Sequence, residues 1–63
     1  MSANNQLVII KTKEGKFTLH HVDIDCGEIR DKWPEFDSLE EAVRTANEFM
    51  EDVEVEYGLN IKL

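Results

Sequence analysis

Between His20 and Glu28 the chain carries six side chains able to bind a metal or move a proton: His20, His21, Asp23, Asp25, Cys26 and Glu28. Imidazole, carboxylate and thiolate are the common protein ligands of transition metals. On an extended strand His21, Asp23 and Asp25 share a face, so three donors can converge. The fragment Asp23-x-Asp25-x-Gly27 begins like a calcium loop. That loop, however, needs Asp or Asn where Gly27 stands and a glutamate at its twelfth position, here Pro34. The spaced ligand pairs that define zinc sites are missing as well. We read the segment as a polar strand end and turn. A small metal-binding domain using His20, His21, Asp23 and Cys26 is the alternative; beyond that, no cofactor is expected.

Nucleophilic catalysis needs an activated nucleophile, a base and a group to orient the base. Cys26 with His20 or His21 is the one candidate set, and its members lie within seven residues of one another. Catalytic partners usually converge from separate elements on a cleft, and 63 residues leave little room for one. The 14 carboxylates make chance pairs unavoidable, so no acid–base pair stands out. The three glycines, Gly15, Gly27 and Gly58, are isolated, and no phosphate loop is formed. The expectation is a protein that is not an enzyme.

The elements that position these groups follow from pattern. Residues 1 to 5 are small and polar and read as a flexible tail; 6 to 63 read as one α+β domain. Gln6 to Thr12, with Leu7-Val8-Ile9-Ile10 at its centre, is a strand covered on both faces. Gly15 supplies the turn to a second strand from Phe17 to Ile24. Phe17 and Leu19 share one face of it, whereas Val22 and Ile24 fall on the other. Either a bulge near His20-His21 brings them back, or the sheet is apolar on both sides. A third strand over Glu28 to Trp33 is allowed but carries Asp31 on its apolar face, and Pro34 ends it.

Ser38-Leu39-Glu40-Glu41 is a capping box that opens a helix. Apolar residues recur at Leu39, Ala42, Val43, Ala46, Phe49, Met50, Val53 and Tyr57, at spacings of three and four. Gly58 then serves as the residue that closes the helix. Strict alternation from Val53 to Leu63 competes with this end, placing it near Asp52 instead. A helix from 39 to 57, about 28 Å long, matches its sheet better. A final strand from Leu59 to Leu63 follows, parallel to the first strand and beside it. The predicted fold is a small, mainly antiparallel sheet of three or four strands with one amphipathic helix on one face.

Charge is unevenly placed. The net charge is −7, from 14 acidic and 7 basic residues. Residues 1 to 34 hold five of each sign; residues 35 to 63 hold nine acids against Arg44 and Lys62, so 2 − 9 = −7 arises entirely there. Glu48, Asp52 and Glu56 form a like-charge column on the predicted helix, crowded by Glu51 and Glu54. This acidic face either keeps the domain soluble or docks a basic protein partner. Such a balance argues against direct nucleic-acid binding, which needs a basic surplus.

The longest apolar run is four residues, so no membrane span is expected, and Met1 to Gln6 has no features of a signal peptide. A lone Cys26 and no staples favour a reducing, cytoplasmic setting. Val8, Ile10, Val22 and Ile24 exceed what one helix can cover, with Trp33 and Phe36 available to fold over part of them. A homodimer packed sheet to sheet is the simplest solution. The function expected is that of a non-catalytic interaction or regulatory protein.

Overall fold

A computed structural model describes residues 4–63; the first three residues of the expected tail lie outside it. Five elements follow in order: β1 (Asn5–Lys11), β2 (Phe17–Asp23), β3 (Ile29–Lys32), α1 (Leu39–Asp52) and β4 (Leu59–Lys62). They form a small α+β fold in which one four-stranded sheet, ordered β3-β2-β1-β4, carries α1 on one face. β1 pairs antiparallel with β2 and parallel with β4, and β2 pairs antiparallel with β3. The sheet is therefore mainly antiparallel, and the unbroken apolar run of β1 lies inside it. Among the described residues no helix is long and apolar enough to cross a membrane.

Alternation divides the sheet cleanly. Leu7, Ile9 and Leu19 are fully buried and meet Ala42 and Ala46 of α1 in one cluster. Two alanines let the helix backbone come close to the strands, and Leu39, Val43, Phe49 and Met50 close the sides. Ser38 caps α1 by accepting the Glu41 amide at 3.2 Å, the hydroxyl half of the expected box. Gly15, at φ 82°, makes the β1–β2 turn, where a side chain would be strained.

Several expectations need correction. Asn5 is not tail: it begins β1 and is 1% exposed. The helix stops at Asp52 rather than Tyr57, about 21 Å from its start. Val53 is already extended, at φ −123° and ψ 130°. Gly58 (φ 66°) closes a turn by donating its N–H to the Val55 carbonyl, and does not cap the helix. The Glu48–Asp52–Glu56 column is thus broken, since Glu56 lies beyond α1. The β1–β2 register runs without a break from Asn5↔Asp23 to Lys11↔Phe17, so no bulge returns Val22 to the helix side. The irregularity lies between β2 and β3: His21 pairs with Asp31 and Val22 with Ile29, which makes Arg30 the extra residue. That bulge puts Asp31 on the helix side and Ile29 on the opposite side. Trp33 and Phe36 pack against the helix-side core and leave the other face uncovered.

This division makes a simple expectation. Ile9→Val should cost about 1 kcal/mol in urea unfolding, the usual loss for a buried methylene. Ile61→Val, on the same face but at the exposed sheet edge, should stay within about 0.5 kcal/mol.

Candidate interaction surfaces

Two surfaces and one partly buried polar cluster stand out. The first surface is the sheet face that α1 does not cover. By register it carries Gln6, Val8 and Ile10 from β1, Thr18, His20 and Val22 from β2, Ile29 and Lys32 from β3, and Asn60 and Lys62 from β4. Ile24 continues the row just beyond β2, where its N–H donates to the Asn4 carbonyl. Three of the four residues expected on this face, Val8, Ile10 and Val22, lie on it, with Ile24 at its rim. Ile10, Ile24 and Ile29 are 41%, 44% and 49% exposed, whereas Val8 is nearly buried among its neighbours. Among these residues there is no carboxylate, although the chain has 14.

The second surface is acidic. Glu48, Glu51 and Asp52 are exposed at the end of α1, and Glu54 and Glu56 are exposed on the crossover to β4. No base lies in the last turn of α1 to answer the negative end of its dipole. Across the first part of the helix Arg44 meets Glu40 at 3.4 Å, an exposed pair of small worth.

The residues read as metal ligands are not brought together. His20 faces the open side of the sheet and His21 the helix side. Asp23 is committed to its turn: one carboxylate oxygen accepts the amides of Asp25 (3.0 Å) and Cys26 (3.4 Å), and the other meets Arg30 at 2.7 Å. Burial pushes the Asp23 carboxyl up, but the Cys26 amide, the Arg30 guanidinium and the Asp25 amide together hold it below its ordinary value. Asp25 bonds the side chain of Asn4, and Cys26 is exposed at the turn. Among the described residues no three such side chains converge to hold a metal.

His20 has the more unusual setting. Its Nε2 is buried without a hydrogen-bond partner, and Lys32 is its direct partner on β3. Burial first, and the Lys32 charge second, lower its pKa.

The cluster joins buried Asn5 and His21 to the exposed carboxylate of Asp31. The Asn5 side-chain amide donates to the Glu54 carbonyl at 2.9 Å and to His21 Nε2 at 2.8 Å, while its oxygen accepts the Glu56 amide at 2.8 Å. These partners fix which end of the amide is which, so Nε2 accepts and the imidazole proton sits on Nδ1. Nδ1 then donates to Asp31 Oδ2 at 2.8 Å. Phe49 makes T-shaped contacts with His21 and with Trp33, ring centroids 5.0 Å apart in both. An aspartate behind a histidine is the geometry of a general base, but here Asn5 occupies the nitrogen that would take a proton. The described surface has no pocket beside it. Sequence reasoning missed this cluster; the only signal was Asp31 on an apolar face, which asked for a polar partner.

The chain matches no family model, no curated protein and no solved structure.

Two measurements follow. Asn5→Ala leaves the Glu54 carbonyl, the Glu56 amide and His21 Nε2 without partners, and should lower stability by about 2–4 kcal/mol in urea unfolding. Separately, Lys16 holds Asp37 below its ordinary value through a 2.7 Å bond, and Asp37 raises Lys16 in return. The stabilisation from a lowered carboxylate is present above its unfolded pKa and lost as pH falls through the folded one. In Lys16→Ala the Asp37 titration followed by NMR should move up towards 3.8.

Proposed function

We propose that this chain is a non-catalytic interaction protein. It self-associates through the open sheet face, at Val8, Ile10, Val22 and Ile24, and offers Glu48, Glu51, Asp52, Glu54 and Glu56 to a basic protein partner. The observation that supports this reading is the segregation of charge. The strand residues of the one extended apolar surface include no carboxylate. The α1 carboxylates lie on the other side of the sheet, and Asp25 and Glu56 bond Asn4 beside Ile24 at the rim. A chain of net charge −7 repels its own copy through most of its surface, and least through this face. In a two-fold, face-to-face pair the two acidic layers stand roughly 30 Å apart. That is several screening lengths of about 8 Å, so their repulsion is slight. Lys32 and Lys62 lie on the two edge strands, where long stems carry the ammonium groups past the rim to water. The apolar centre is then left to close on itself. Association in the cytoplasm, with exposed Cys26 kept reduced, belongs to the same proposal.

The sheet is about 19 Å wide and β2 about 23 Å long, so two copies bury on the order of 900 Å². That is short of the roughly 1,200 Å² of stable complexes. The dimer is accordingly weak and concentration-dependent.

Sedimentation equilibrium tests the reading. A mass rising towards twice that of the chain, at both low and high salt, is expected for the wild type. Ile10→Glu with Ile24→Glu should remain monomeric while keeping its far-UV spectrum. For the acidic layer the probe is an oligolysine peptide. Its binding should weaken steeply with added salt, and further in Glu48→Gln with Glu51→Gln and Asp52→Asn. A wild type that stays monomeric at every concentration removes the sheet-face contact, and salt-independent peptide binding removes the electrostatic one.

A further inference from the structure

The open face holds one titratable group near neutral pH, and its surroundings leave it no anion to pair with. His20 lies in the row Lys32–His20–Val8–Asn60 that crosses all four strands. From β3 it faces Lys32; from β1, Gln6, Val8 and Ile10 bring no charge; from β4 the nearest charge is Lys62. α1 and its carboxylates are on the other side of the sheet. His20 Nε2 is already buried and unpartnered. In the imidazolium both ring nitrogens carry hydrogen, so this nitrogen is then necessarily a buried donor with no acceptor, on a cation.

We propose that protonation of His20 dissolves the self-association of this chain, making the open sheet face a pH-sensitive contact between two copies. This rests on the sheet-face reading above. In the pair, each His20 lies within an interface whose strand residues carry only the Lys32 and Lys62 ammonium groups of the two copies, while the carboxylates of Asp25 and Glu56 bond Asn4 at the Ile24 rim. Neutral, it contributes a flat ring to the contact. Charged, it adds a third cation to each face, and the strand residues that meet it on the opposing copy bring no carboxylate to compensate it. Burial and Lys32 already disfavour the charged form in the single chain; closing a second face over the ring removes more water from it. The dimer therefore binds fewer protons than the separate chains, and acidification through and below the ordinary histidine range, about 6.5, drives dissociation. The contact is weak, so a modest change in its free energy is enough to shift the population.

The test is sedimentation equilibrium of the full chain between about pH 7.5 and about pH 5.5, with far-UV spectra confirming that the fold persists. The wild-type dissociation constant should rise about tenfold or more over that range, while His20→Gln, or His20→Thr if glutamine folds poorly, should change less than about twofold. Wild-type association that ignores pH overturns this inference and leaves the sheet-face contact standing. Equal acid dissociation of wild type and variant also overturns it, by assigning the effect to another group. Absence of association at every pH overturns both.

Discussion

The side chain of Asn5 holds the two ends of the fold together. It donates to the Glu54 carbonyl and accepts the Glu56 amide, across sequence separations of 49 and 51 residues. Its backbone carbonyl accepts the Tyr57 amide as well. A helix that continued past Asp52 would use the Glu54 carbonyl and Glu56 amide in its own ladder. Asn5 offers them buried partners instead, and the chain leaves α1 extended. From there the Gly58 carbonyl accepts the Leu7 amide, which delivers β4 parallel to β1. The same side chain seats His21, and through it Asp31 and the β2–β3 bulge. One amide thus sets where the helix ends, where the last strand pairs and how the far edge strand is turned.

This explains what could be read from the chain and what could not. The hydroxyl cap at Ser38, the turn at Gly15 and the two-faced run from Leu7 to Ile10 are local signals, satisfied within a few residues, and each appears where expected. The end of α1 is not local. Periodicity alone favours Tyr57, and the length match to the sheet favours it too. The competing partner lies at the other end of the sequence, on a residue whose type and position suggest a frayed tail. The Asp31 puzzle has the same origin: an aspartate on an apolar face makes sense only once a bulge at Arg30 and the ring of His21 are in place. Of the candidate surfaces, the apolar residues of the open face were legible from alternation. Its lack of carboxylates was not, because Lys32, Asn60 and Lys62 reach it only through pairing.

Thin folds have a particular problem with charge. A single helix on a four-stranded sheet buries one face and exposes the other, and the residues that fill the second face decide what the protein can meet. Here Val8 and Val22 are partly shielded by their neighbours, while Ile10, Ile24 and Ile29 remain open to water. Acidic residues could have been spread over that face to keep it wetted. Half of the 14 stand on the helix and crossover instead, where several oppose the helix dipole and lie near like charges. That placement is unfavourable for the isolated helix, each exposed group costing a few tenths of a kcal/mol. In the proposed pair the two layers fit together: carboxylates kept off the open face would leave it able to close, and those on the helix would keep the pair apart from further copies.

The same segregation separates the two adjacent histidines. Of the two adjacent histidines, His21 has both nitrogens engaged within one chain, by Asn5 and Asp31. Its ring is part of the framework. His20, one residue earlier, faces the opposite side, beside a lysine and with a buried nitrogen unanswered. A strand turns neighbouring side chains to opposite faces, and that geometry alone separates the two roles. In the proposed pair, the strand residues of the open face would let it approach its copy because they include no carboxylate, and for the same reason they would not compensate a new positive charge on His20.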